Sequence, residues 1–159
     1  MRETPSVVPD RIEPVVAYRV WWREVNFLNS FGWSQEVWKP RITYIAKHIP
    51  NRISIDIDDK QPVHNISNCT STMFQCGIYG MKTYKYFTNE YHQDIRLICN
   101  LICGQVYLWG LIIEHELGYR AEYAYPKCLY LDGVKDNTIR MIASNYRIPC
   151  IAPPAVEPP

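Results

Sequence analysis

The segment that most constrains this chain is "GQVYLWGLIIEHELGYRAEYAYPKCLYL", from Gly104 to Leu131. Two long runs rich in β-branched and aromatic residues flank a polar break that contains glycine, the pattern of a β-hairpin. Two registers compete. A two-residue turn at Leu117-Gly118 pairs Glu116 with Tyr119 and asks Leu117 for a positive φ, which it resists. A three-residue loop, Glu116-Leu117-Gly118, puts glycine where the left-handed conformation is required. This second register pairs His115 with Tyr119, Glu114 with Arg120, Ile113 with Ala121 and Ile112 with Glu122. It also gathers Trp109, Leu111, Ile113, Ala121, Tyr123 and Tyr125 on one face, leaving Glu114, Arg120 and Glu122 on the other. The slipped alternative mixes charges into both faces. The expectation is therefore a Glu114–Arg120 cross-strand ion pair, worth roughly 0.2–1 kcal/mol if exposed.

The rest of the chain supplies partners for the hairpin. "PVVAYRVWW" reads as a strand near 15–22, and "RITYIAKHI" as a second near 41–48. Isoleucines alternate with polar residues at 53, 55 and 57, a short half-exposed strand. Residues 60–75 read as a polar loop, and "CGIYGMK" as a short strand between glycines. In "NEYHQDIRLICNLIC", Tyr91, Ile95, Ile98 and Ile102 fall at helical spacing, with Thr88 or Asn89 as cap. In "DNTIRMIASNY", Ile139, Ile142, Ala143 and Tyr146 form one face of a helix capped by Asp136 or Asn137. The expected class is α+β: a small, mostly antiparallel β-barrel with two short helices. Residues 1–13 read as a flexible N-terminal arm, 14–150 as a single domain and 151–159 as a Pro-rich tail.

A chain of 159 residues, 47% of them apolar, can bury a real core. A net charge of +1 excludes a strong, sequence-blind nucleic-acid binder, which needs a basic field. The N-terminal "MRETPSVVPDRIEP", polar and Pro-rich, does not read as a signal peptide, and no apolar run reaches bilayer-spanning length. These features point to a soluble, cytoplasmic protein with no membrane partner, whose cysteines are mainly reduced.

No phosphate-binding glycine loop, H-E-x-x-H or G-x-S-x-G occurs. His64, Cys69 and Cys76 carry metal-ligating side chains, but no C-x-x-C accompanies them, so neither a metal nor another cofactor is expected. Cys99 and Cys103 sit among Ile and Leu and read as core. "GIYG" matches half of the GIY-YIG nuclease signature, yet no Tyr-Ile-Gly follows. Aromatic and basic residues interleave in "AYRVWWRE", "WKPRITYIAKH" and "YGMKTYKYF". That pattern fits either a solvated outer face or a surface that stacks bases and contacts phosphates.

The combination "YRVW", "CGIYG", "GQVYLWGLIIEHELGYRAEYAYP" and "YRIP" resembles a family of small uncharacterised bacterial proteins, over roughly residues 17–149. Similar proteins place a second Cys two before the Gly-linked one, where this chain has Phe74. The resemblance implies no mechanism. In architecture the strand–helix–strand–hairpin order is similar to PUA-like barrels such as the ASCH and EVE domains, which bind RNA or modified bases.

The functional expectation is a non-catalytic module for a nucleotide, modified base or RNA/DNA segment, working within a larger assembly. Tyr79, Trp109, Tyr123 and Tyr125 would form its aromatic wall, with Glu114, Arg120 and Glu122 as polar contacts. The alternatives are a protein–protein adaptor without its own ligand, and an enzyme using Glu114, Arg120 and Glu122.

Overall fold

The computed structural model describes residues 6–8, 13–30, 36–46, 77–85 and 100–155, the first three as backbone alone. The metal candidates His64, Cys69 and Cys76, the strand expected over 53–57 and most of the helix expected from Asn89 lie outside the described residues. The elements are β1 (Ser6–Val8), β2 (Val15–Glu24), β3 (Phe27–Ser30), β4 (Val37–Trp38), β5 (Tyr44–Ile45), β6 (Ile78–Met81), β7 (Leu101–Glu114), β8 (Gly118–Tyr130), α1 (Asp136–Tyr146) and β9 (Cys150–Ile151).

All the described strands join one sheet. β7 pairs along one edge with β2, Val15 opposite Leu108 through Trp22 opposite Leu101, and further on with β1. Its other edge takes β8. β6 lies against β8 from Ile78 opposite Ala121 to Met81 opposite Gly118, and Met81 also meets Tyr18 of β2. The strands β2, β7, β8 and β6 thus close a ring, barrel-like and mostly antiparallel; among the described pairings only β8–β9 is parallel.

Alternation sorts the core. Ala17 and Trp21 of β2 join Val106 and Leu108 of β7, Ala124 and Leu129 of β8 and the apolar face of α1 in one buried cluster. The intervening Val20, Leu101, Cys103, Cys128 and Tyr130 form a second cluster with Tyr84. Both faces of the sheet are therefore covered at this end. Backbones approach closely inside the ring: a Cβ on Gly80 would stand 2.6 Å from that of Ala17, and one on Gly104 would stand 2.1 Å from the Cys128 carbonyl oxygen.

Helix α1 buries Ile139, Ile142, Ala143 and Tyr146, the expected face. Its cap differs from expectation. Lys135 is the N-cap and makes no side-chain cap bond. The carboxylate of Asp132 instead accepts N–H bonds from Val134 and Lys135 at 3.0 and 2.7 Å. Asp136 Oδ1 answers by accepting from Asp132 N and Gly133 N at 2.9 and 2.8 Å. An Asx-turn ahead of the helix does the work expected of Asp136 or Asn137.

Two strand boundaries also move. Of the strand expected over 41–48, residues 41–46 are described, and among these only Tyr44–Ile45 forms a strand; Arg41 adopts φ 64° and turns the chain ahead of it. Leu101, Ile102 and Cys103, expected as the end of a helix, open β7. With both sheet faces buried there, strand alternation leaves no polar side to reveal it.

The hairpin register slips by one. Glu114 faces Tyr119, Ile113 faces Arg120 and Ile112 faces Ala121, while His115 N donates to Gly118 O at 2.8 Å. Glu116 and Leu117 thus form the connection, and neither has a positive φ. Gly118 is glycine for another reason: a Cβ there would lie 2.4 Å from the Gly80 carbonyl oxygen, so β6 can approach only a bare backbone. Further along, Gly110 (φ 76°) carries a β-bulge between the Trp109–Tyr123 and Ile112–Ala121 pairs.

Candidate functional site

The bulge shapes the aromatic part of the hairpin. Trp109 and Tyr123 stand directly opposite on β7 and β8, ring centroids 6.1 Å apart and planes tilted by 30°. A side chain on Gly110 would collide with the Tyr123 ring at 2.5 Å and with Glu122 Oε2 at 2.8 Å. Glycine therefore lets both groups fold over the bulge, where Glu122 Oε2 accepts from Leu111 N at 3.2 Å. Two positions along the ladder, in the same phase, Tyr107 pairs with Tyr125. The Lys127 ammonium lies 5.9 Å from the Tyr107 ring centroid, and its Nζ donates to Gln105 Oε1 at 3.0 Å. Trp109, Tyr107 and Tyr123 are all half-buried. Tyr125 is tied down instead: its hydroxyl donates to Tyr146 O and accepts from Arg41 N, both at 2.9 Å.

The charged residues take separate partners. Glu114 pairs with Lys82 at 2.7 Å rather than with Arg120, a correction that follows from the slipped register. Lys82 also lies 5.3 Å from the Tyr119 ring centroid, and the Glu114 carboxylate raises its pKa. Arg120 is buried, its stem filling the space in front of Gly77, and its Nε donates to His115 Nε2 at 3.4 Å. Burial lowers the His115 pKa, and the Arg120 and Lys82 charges lower it further, so the ring is neutral and can accept. Tyr79 lies across the β6–β8 ladder from Arg120, largely exposed. The expected wall is thus divided. Trp109 and Tyr123 come together, Tyr125 braces the fold, and Tyr79 belongs to the Arg120 side. Glu114, Arg120 and Glu122 do not form two carboxylates sharing one guanidinium.

A further cluster was not singled out from sequence. The Arg19 guanidinium sits 4.9 Å from the Trp38 ring centroid and donates to Tyr79 O. Tyr44 stacks on Trp38 at 4.5 Å and 11°, with its hydroxyl on Glu36 and near Ser30 Oγ, which in turn accepts from Trp38 Nε1 at 2.8 Å. Burial pulls the Arg19 pKa down to about 10, against the opposing effect of Tyr44. Burial, helped by Glu36, pushes Tyr44 up to about 12. Its trace in the sequence is phase alone: Arg19 alternates in step with Ala17 and Trp21 on β2, and the fold shows that those two belong to the core.

Among the described residues no group of three or more His, Cys, Asp or Glu side chains could hold a metal, and no helix is long and apolar enough to cross a membrane. Cys128 is buried and its thiol pKa is raised, first by that burial, which keeps it protonated. A comparison with family models, curated proteins and solved structures finds no match to this chain.

Proposed function

We propose that this protein is a non-catalytic binding module that stacks the bases of a nucleotide or of single-stranded RNA or DNA on the β7–β8 surface. The barrel would serve in the manner of a PUA-like domain, within a larger assembly. One observation carries the reading: the half-buried Trp109–Tyr123 pair continues into Tyr107 with Lys127 beside it, an aromatic strip followed by a cation. Base–aromatic stacking is tolerant of sequence, and each stacked base contributes about 1–3 kcal/mol. The near-neutral chain limits phosphate contacts, so affinity rests on stacking more than on charge.

Fluorescence anisotropy with labelled oligo-U and oligo-dT dodecamers tests this. Saturable binding is expected, with Trp109→Ala weakening it about 5- to 100-fold. Lys127→Gln should reduce the salt slope by about 0.7. Binding unchanged in Trp109→Ala, or no saturation by either oligonucleotide, overturns the reading.

The adaptor reading draws on a different observation: Val25, Phe27 and Val37 are exposed around β3 and the edge strand β4. A partner that binds wild type but not Phe27→Asp, with oligonucleotide binding absent throughout, would favour it.

A further inference from the structure

A cavity of about 380 Å³ opens between the start of β7, the end of β8 and the approach to α1. Trp109, Tyr107, Tyr123 and Lys127 of the base-stacking surface do not line it. Its size lies in the range of small-molecule sites, about 300–1,000 Å³. Tyr84 and Tyr130 form one wall, with ring centroids 5.3 Å apart and planes at 82°. Leu101, Ile139 and Pro153 add apolar lining, and Val134 stands exposed at the site.

Among the described residues, the charge on this lining has one sign. Asp132 is the single charged side chain among the described lining residues. Its pKa lies below the ordinary carboxylate value: burial raises it, but the Lys135 and Val134 N–H groups and the Lys135 ammonium outweigh that. Asp132 Oδ1 takes the two backbone N–H bonds and Oδ2 meets Lys135 Nζ at 3.1 Å, which leaves acceptor capacity on Oδ2. The Lys135 ammonium also donates to Leu101 O at 2.8 Å, and Lys135 is not among the described lining residues. An anionic ligand would bring its charge against an ionised carboxylate. A ring with an ammonium would meet tyrosine faces and a carboxylate, each favourable to a cation.

We propose that this cavity binds a small organic cation carrying an aromatic ring, an arylalkylamine in chemical class. Its ring lies against Tyr84 and Tyr130 and its ammonium at Asp132. The proposal is independent of oligonucleotide stacking on β7–β8, which uses other residues.

Equilibrium dialysis of the full chain against phenethylamine, phenethyl alcohol and 3-phenylpropionate tests it. Phenethylamine should bind saturably and most tightly, and 3-phenylpropionate least. Asp132→Asn keeps a side-chain oxygen for the turn before α1, and should cut the preference for amine over alcohol by about fivefold. Val134→Trp, which fills the mouth from an exposed position, should abolish binding of phenethylamine while the melting temperature holds. Equal binding of the three probes, no saturable phenethylamine binding, or an unchanged preference in Asp132→Asn overturns the proposal. If Val134→Trp fails to fold, the Asp132→Asn comparison still decides.

Discussion

Removing one oxygen atom tests how this fold holds its peripheral strands. The Tyr146 hydroxyl, at the end of α1, accepts from Leu28 N at 3.0 Å and donates to Trp38 O. Leu28 and Trp38 are themselves the cross-strand pair of β3 and β4. At 0 and 1% exposure, neither leaves room for water to replace the hydroxyl. Tyr146→Phe therefore strands one buried donor and one buried acceptor. Each costs about 1–3 kcal/mol, so about 2–6 kcal/mol is expected in total. For a domain of this size, 3 kcal/mol corresponds to a fall in melting temperature of about 6–12 °C. Tyr125→Phe makes the same chemical change at a half-buried position whose partner Arg41 is exposed, and should cost only about 0.5–1.5 kcal/mol. Urea unfolding monitored by Trp fluorescence gives both numbers. An unchanged m-value would confirm that stability alone has moved. A loss below about 0.5 kcal/mol in Tyr146→Phe, or equal losses in the two variants, would refute the assignment of this hydroxyl as the joint between α1 and the β3–β4 pair.

Val25 is β-branched, exposed and at φ 50° in the β2–β3 turn, so Val25→Asn should raise stability by about 1 kcal/mol in the same urea assay. Gly104→Ala should cost about 3 kcal/mol, because its Cβ meets the Cys128 carbonyl at 2.1 Å; Gly133→Ala meets nothing within 4 Å and should cost only the left-handed penalty, about 1 kcal/mol. The folded pKa of His115 is lowered below 6.5, so the unfolded chain binds its proton first as pH falls. Stability from this group is complete above pH 6.5 and declines as pH falls through the lower folded value; His115→Asn should reduce the difference in urea midpoint between pH 7 and pH 5.

The elements that declared themselves in sequence did so through one-sided burial. Ile139, Ile142, Ala143 and Tyr146 announce α1 because the opposite side of that helix is polar. The strands of the β7–β8 hairpin and β2 were legible for the related reason of β-branched and aromatic density. The hairpin register was not, because the reason for Gly118 lies on β6, a distant segment whose Gly80 carbonyl sits where a Cβ would be. Local turn chemistry therefore favoured a loop that tertiary packing overrules. Arg19 was visible only as one base among aromatics, since sequence does not say that its neighbours Ala17 and Trp21 face inward with it. The cavity was invisible in principle: its lining runs from Tyr84 to Pro153, and no local pattern brings such residues together.

The closure of β2 by β7 has a consequence for how the chain is made. Val15 through Trp22 find their ladder on Leu108 through Leu101, roughly 80–90 residues later. At about 5–20 residues per second, a ribosome needs several seconds to deliver that partner. During this interval Trp21 and the rest of β2 emerge with an unpaired edge and their apolar side chains uncovered, the situation in which nascent strands associate with one another. Yield from the translation apparatus should therefore respond to holdase chaperones acting before β7 appears, even where the equilibrium stability of the finished barrel is ample.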